Sequence, residues 1–297
     1  MLDILSFRLL FDIALNGVLF GAMYGAAAVG LSLIFGTMRI IFIAQGTMIV
    51  LASYVVYWLF TVLGLDPYVS IIVVVPLAFV VGAITYLLLF RTAAATADKN
   101  TSLLIAVGLM FLGQNTISFL WTPNPRSITT FYTATGFDLF GTRISVTRSI
   151  SFVITLVATL SVVVFLRRTL VGKAVRAASE NMVTATLMGI DPHRVNAIAF
   201  AVGFALAGAA GVAFATTYPF DPYYGFVFAL KALIALALGG IGNVVGALLG
   251  GILLGLIESF SSFFISAGWA DAISYAVFLL VLMFRPEGLF ASSLKKV

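Results

Sequence analysis

The chain of 297 residues has no cysteine and a single histidine, His193. Disulfides, zinc–thiolate sites and thiol nucleophiles are thereby excluded. With the lone histidine in a polar loop, the sequence offers no catalytic residue and no metal site. Charge is nearly as scarce. Asp, Glu, Lys and Arg make up 9% of the chain, against about a quarter in an ordinary soluble domain. Apolar residues reach 62%, in runs that repeatedly approach or exceed twenty, the length a helix needs to cross a bilayer. This composition predicts an all-α polytopic membrane protein. The formal charge of +5 lies in short loops, not on one soluble face, so nucleic acid is not an expected partner, whereas membrane lipid is. The start has no basic n-region and its first apolar segment is long enough to remain as a span, so no cleaved signal peptide is expected.

Apolar stretches of spanning length cover about 11–35, 42–63, 68–90, 101–121, 150–166 and 195–217. A longer one covers 228–260 and a short one 272–284. No linker divides them, so residues 1–297 read as one transmembrane domain. Loop 91–100, loop 167–195 and the C-terminal tail with Arg285, Lys295 and Lys296 are read as the basic connections, while loop 122–149 is placed outside despite Arg126, Arg143 and Arg148. The positive-inside rule puts the three basic connections in the cytoplasm, with the N-terminus outside. The run 228–260 is too long for one span, since 33 helical residues at ~1.5 Å each exceed a ~30 Å hydrocarbon core. Parity of crossings also requires a break. Gly239, Gly240, Gly242 and Asn243 mark it, giving about nine segments, with eight as the alternative. Gly17, Gly21 and Gly25 repeat at intervals of four, as do Gly242, Gly246 and Gly250, and Gly251 with Gly255. Such sets let helices approach closely.

The loop at about 167–195 stands out. It holds five of the sixteen basic residues, together with Glu180, Asp191 and His193. Between Gly172 and Gly189 helix formers predominate, with Val175, Ala178, Met182 and Ala185 on one face and Lys173, Arg176 and Glu180 elsewhere. Gly189 suits a helix stop, and Asp191-Pro192 reads as N-cap and first residue of the next helix. A mere connector needs only a few residues, so this capped helix reads as a docking surface for a cytoplasmic partner.

The segment GKAVRAASENMVTATLMGIDPHRVNAIAFAVGFALAGAAGV resembles the cytoplasmic coupling loop and following span of permease subunits of branched-chain amino acid ABC importers. LNGVLFGAMYGAAAVGLSLIFG, MRIIFIAQGTMIVLASY, LKALIALALGGIGNVVGALLGGILLGLIES and RPEGLF resemble other parts of that family in the same order, so the similarity covers almost the whole chain. The resemblance implies a bacterial inner-membrane importer subunit whose coupling helix meets a cytoplasmic ATPase through Gly172, Lys173, Arg176, Glu180, Asn181 and Gly189. It also implies a second, homologous permease, two ATPase subunits and an extracytoplasmic solute-binding protein. The chain itself has no GxxxxGK[ST], since Gly172-Lys173 continues with Ala174. ATP would therefore bind the partner subunits, and no cofactor is expected here. One departure stands out: the family usually reads Ala-His-Gly-Glu or Asp where this chain has Ala44-Gln45-Gly46-Thr47. Permeases for urea and short amides share much of the pattern and remain an alternative, with ribose-type sugar permeases more distant.

Polar groups inside spans are costly and count as functional candidates. Asn16, Gln45, Gln114 and Asn115 are candidates for the solute pathway, though helix–helix hydrogen bonding would also account for such amides. The glycine break, with Gly239, Gly240, Gly242 and Asn243, is a further candidate, because half-helix ends at the midplane often face transported ligands. Lys231 and Glu258 lie near segment ends, where they could snorkel or line the path. Glu258 is also the carboxylate an ion-coupled secondary transporter would need. A channel would require a filter or charge ring, and none is visible.

Overall fold

The computed structural model describes residues 7–92, 99–133, 135–139 and 142–290. Lys295 and Lys296, used above to place the C-terminal tail, lie outside the described residues. Among the described residues eleven α-helices and one small hairpin follow in order. They are α1 (Phe7–Met38), α2 (Gln45–Leu63), α3 (Ile71–Thr85), extended by a π-helical turn over Tyr86–Phe90, and α4 (Lys99–Trp121). Strands β1 (Gly136–Leu139) and β2 (Thr142–Ser145) precede α5 (Val146–Arg168), α6 (Leu170–Glu180) and α7 (Met182–Leu187). The chain continues with α8 (Pro192–Thr217), α9 (Tyr224–Gly239), α10 (Val244–Phe264) and α11 (Ala267–Phe284).

Eight of these helices are long and apolar enough to cross a membrane, and α9, at 16 residues, is a shorter apolar helix between them. The expected count of about nine, with eight as alternative, fits this arrangement. Helices α1 and α8 form the centre, the others surrounding them. The hairpin pairs Gly136 with Ser145 and Phe137 with Ile144 in antiparallel register. Hydropathy gave no sign of it, because the strands lie in a polar connection.

The glycine pattern is explained by contacts. Gly17, Gly21 and Gly25 of α1 face Gly251 and Gly255 of α10 so closely that a methyl group on any of them would strike the opposite backbone. On another face of α10, Gly246 and Gly250 meet Gly239 and Ala235 of α9. Helix α10 is thus wedged between two partners by two separate rows of glycine. Without a hydrophobic driving force between helices in lipid, such backbone contact supplies van der Waals packing instead. Gly242 does not continue the second row. It sits in the turn at φ +84 with open space around it.

The break falls where expected, between Gly239 and Val244, but not at mid-depth. Gly240 (φ +94) and Gly242 (φ +84) take conformations that L-residues avoid. Asn243 caps α10 by accepting from the Gly246 amide at 3.0 Å. The turn lines one cavity with Phe35, Gly36 and Arg39 at the end of α1 and Arg167 at the end of α5. It therefore lies at the α6 end of the bundle. RPEGLF packs on this turn: the Leu289 amide donates to the Leu238 carbonyl at 2.9 Å, and Asn243 Nδ2 donates to the Phe290 carbonyl at 2.8 Å.

A different break does reach the interior. Helix α1 stops at Met38, Arg39 turns left-handed at φ 58, and residues 39–44 run without helix to Gln45. Ile40, Phe42 and Ala44 in this segment are buried. Gln45, the first residue of α2, lies against Gly203 near the middle of α8. Irregular backbone at that level is tolerated only inside protein, which is where these residues sit.

Candidate coupling surface and translocation residues

The polar stretch between α5 and α8 folds as two short helices, not one. Thr169 Oγ1 caps α6 by accepting from the Gly172 amide at 2.9 Å. Gly172 presses on the Phe165 carbonyl and the Leu166 backbone, leaving no room for a side chain. The helix ends at Asn181, whose φ of −153 and ψ of 103 are extended. Asn181 Oδ1 then accepts from the Thr184 amide at 3.1 Å and starts α7. The role of Asn181 is a hinge cap, and this break within 172–189 is a correction to the single helix expected. Gly189 follows at φ +86, the left-handed stop. Asp191 caps α8 by accepting from the His193 amide at 2.9 Å, with Pro192 as its first residue.

The inward face is the one read from spacing. Val175, Ala178 and Ala185 are buried, and Met182 packs on the same core. Lys173, Arg176 and Glu180 are exposed. Sequence reasoning missed the apolar residues on the outer face: Leu170, Val183, Leu187 and Met188 are 73–84% exposed. They lie outside every span, so lipid does not account for them, and a grouped exposed apolar surface marks an interaction site. The signal was present in the sequence as apolar residues left over once one helix face was filled.

The intramembrane candidates separate by environment. Asn16 is structural in geometry: its Nδ2 donates to Asp12 Oδ1 at 3.0 Å, and its Oδ1 accepts from Arg148 at 2.6 Å, tying α1 to α5. Asn115 donates to its own helix, to the Phe111 carbonyl at 2.8 Å, from an exposed face of α4. Gln114 is half-buried on α4 beside Gly113, which packs on Thr47 of α2. Gln45 is fully buried, donates through Nε2 to the Gly203 carbonyl at 3.1 Å, and leaves Oε1 without a partner. Its neighbour Gly46 touches Gly225, so the N-termini of α2 and α9 meet inside the bundle. Gly239, Gly240, Gly242 and Asn243 lie at the α6 end of the bundle, away from the meeting of α2 and α9.

Lys231 and Glu258 do not snorkel. Lys231 of α9 is buried and ion-paired with Glu258 of α10, and with Asp271 of α11 at 2.9 Å. Its ammonium also lies 5.3 Å from the centre of the Tyr24 ring on α1. Four helices thus converge on one cation. Asp271 was missed because the hydropathy boundary at 272 left it just outside the last span.

At the opposite end of the bundle the segment after α4 is pinned down at Arg126 and Tyr132. Arg126 and Phe220 exchange two backbone hydrogen bonds of 2.8 Å, and the Arg126 guanidinium lies over the Tyr57 and Trp58 rings. Tyr132 donates its hydroxyl to Asp66 at 2.8 Å, and burial together with that bond pushes its ionisation well above the usual tyrosine range.

The family model described as branched-chain amino acid transport system / permease component matches residues 13–282. The chain belongs to this family. It is similar to the high-affinity branched-chain amino acid transport system permease protein LivH of Escherichia coli (strain K12), with 30% identity over 92% of this chain and 93% of that one. The permease protein BraD of Pseudomonas aeruginosa is 29% identical, with the same coverage of each chain. A solved structure of PsaBC from Streptococcus pneumoniae in complex with Fab superposes with a TM-score of 0.52 at 13% identity, covering 96% of this chain and 94% of that chain, and shows the shared fold. The protein is a multi-pass membrane permease of an ABC import system, not an enzyme, and ATP hydrolysis in this family belongs to separate subunits. Such permeases work with ATPase and solute-binding partners.

Proposed function

We propose that this permease carries branched-chain amino acids inward across the bacterial inner membrane, with residues 1–297 acting as one transmembrane domain. The α6–α7 end faces the cytoplasm, the N-terminus lies outside and the C-terminus inside. A second homologous permease completes the membrane unit, two ATPase subunits bind its cytoplasmic face, and an external binding protein delivers the solute. The observation that carries this reading is the outer face of α6 and α7, where Leu170, Val183, Leu187 and Met188 stand exposed beside Lys173, Arg176 and Glu180. Gly172 and the caps at Thr169 and Asn181 hold these helices against the end of α5, so a push on them is passed into the spans. The pathway passes the junction of α2 and α9, with Gln45 at its edge supplying a spare acceptor.

The test is uptake of labelled leucine by proteoliposomes containing the permease pair, its ATPases and its binding protein. Uptake should require ATP, be competed by isoleucine and valine, and fall at least tenfold with Leu187→Asp in complexes of normal yield. Uptake driven by an ion gradient without ATP would overturn the importer reading in favour of a secondary transporter. Competition by urea but not by valine would replace the substrate class with short amides.

A further inference from the structure

At the α6 end, α5 and α10 both pack on α1 but scarcely touch each other. The gap is a cavity of 1030 Å³, floored by Ser32, Leu33 and Gly36 of α1. Its membrane-side walls are apolar: Val163 and Leu166 on α5, Val244 and Val245 on α10. Its outer rim is charged: Arg39 beyond α1, Arg167 at the end of α5, Arg176 and Glu180 on α6, and Glu287 in the RPEGLF segment. Among the described residues none of these five side chains forms an ion pair. We infer that this cavity is a binding site for an amino-phospholipid of the phosphatidylethanolamine class.

The occupant follows from the lining. Apolar walls at the depth of the spans and charges at the helix ends call for an amphiphile lying at the membrane surface. Basic pockets between transmembrane helices take lipid headgroups in this way. Three guanidiniums suit a phosphate, for which Arg is the preferred partner. Glu180 and Glu287 would repel a purely anionic headgroup, but they match an ammonium group. Phosphatidylethanolamine carries both charges and keeps N–H donors, which a choline headgroup lacks. Bound there, the lipid bridges α6 to the α9–α10 turn across the cavity. The site is independent of the solute the permease carries.

The test uses the full-length chain in nanodiscs of equal parts phosphatidylethanolamine, phosphatidylglycerol and phosphatidylcholine. The protein is re-extracted in mild detergent and its retained lipid counted by mass spectrometry. Ethanolamine lipid should be retained about tenfold over the other two, the factor for one charge-assisted hydrogen bond. Arg39→Gln and Glu287→Gln should each bring retention to the bulk ratio, while Arg285→Gln, outside the cavity, should preserve it and so control for general damage. Water-soluble glycerophosphoethanolamine at millimolar concentration should fail to displace the lipid. Equal retention of all three lipids, preference for phosphatidylglycerol, preference surviving Arg39→Gln or Glu287→Gln, or displacement by the soluble headgroup would each overturn the assignment.

Discussion

Lys231→Met tests whether the cation at the meeting point of four helices holds the bundle together. The substitution keeps an unbranched side chain of similar length and removes only the charge and its donors. In the native chain Lys231 is 4% exposed, satisfies Glu258 and Asp271, and contacts the Tyr24 hydroxyl at 3.4 Å. Without it, two carboxylates face each other with no cation. Removing one member of a buried pair costs about 3–5 kcal/mol, because the remaining charge loses its compensation. Glu258, with a side chain 21% exposed, carries most of that penalty, whereas Asp271 at 49% is solvated enough that Asp271→Asn should cost under about 1 kcal/mol. Thermal unfolding of the purified protein should rank the variants Lys231→Met, then Glu258→Gln, then Asp271→Asn, from most to least harmful. The double variant Lys231→Met with Glu258→Leu should recover part of the loss, since no buried charge then remains unpaired. A Lys231→Met protein as stable as the native one, or a double variant no better than the single, would refute the reasoning.

Further expectations concern other parts of the molecule. Gly251→Val should abolish folded protein in the membrane, because its side chain would meet the Gly25 backbone, whereas Gly108→Val, with open space around it, should express normally; yield after size-exclusion chromatography measures both. Glu180→Lys should lower uptake and stimulated ATP hydrolysis without lowering yield, and normal uptake by a well-expressed variant would remove Glu180 from the coupling surface. Single cysteines at Thr133 and Lys173 in this cysteine-free chain should be labelled from opposite sides of the membrane; labelling from one side would overturn the proposed orientation. Gln45→Leu removes one hydrogen bond, worth about 0.6 kcal/mol on average between membrane helices, together with an unpaired acceptor. Stability should change little, so a fall in uptake per assembled complex would assign Gln45 to the pathway and unchanged uptake would assign it to packing.

Features carried by local chemistry were legible in the sequence. Glycines spaced by four announce a close helix contact whatever the partner, and the rows of Gly17, Gly21 and Gly25 and of Gly251 and Gly255 do meet. Asp191-Pro192 caps α8 because an Asx cap and a proline at the first position act through their own neighbours. The break at Gly239–Asn243 followed from the length of the apolar run together with the parity of crossings, and its glycines gave the place. The exposed apolar residues of α6 and α7 were harder to see. One face of a helix can be assigned by periodicity, but apolar residues on the other face look like noise until burial is known.

Depth along the membrane normal was not legible, because it is a property of pairs of helices. Residues 42–63 read as one apolar run, and nothing local marks Gln45 as the start of a helix inside the bundle. Its level is set by the Gly203 carbonyl, 158 residues away. Gly240 and Gly242 reveal a break but not its height, which is fixed by RPEGLF packing on the turn from the far end of the chain. The Lys231 cluster shows the same limit, since one cation serves carboxylates 27 and 40 residues further on. Hydropathy treats each charge as a cost to its own span. Once three spans share that cost, a residue such as Asp271 at a boundary belongs to the interior, and only the packed bundle reveals it.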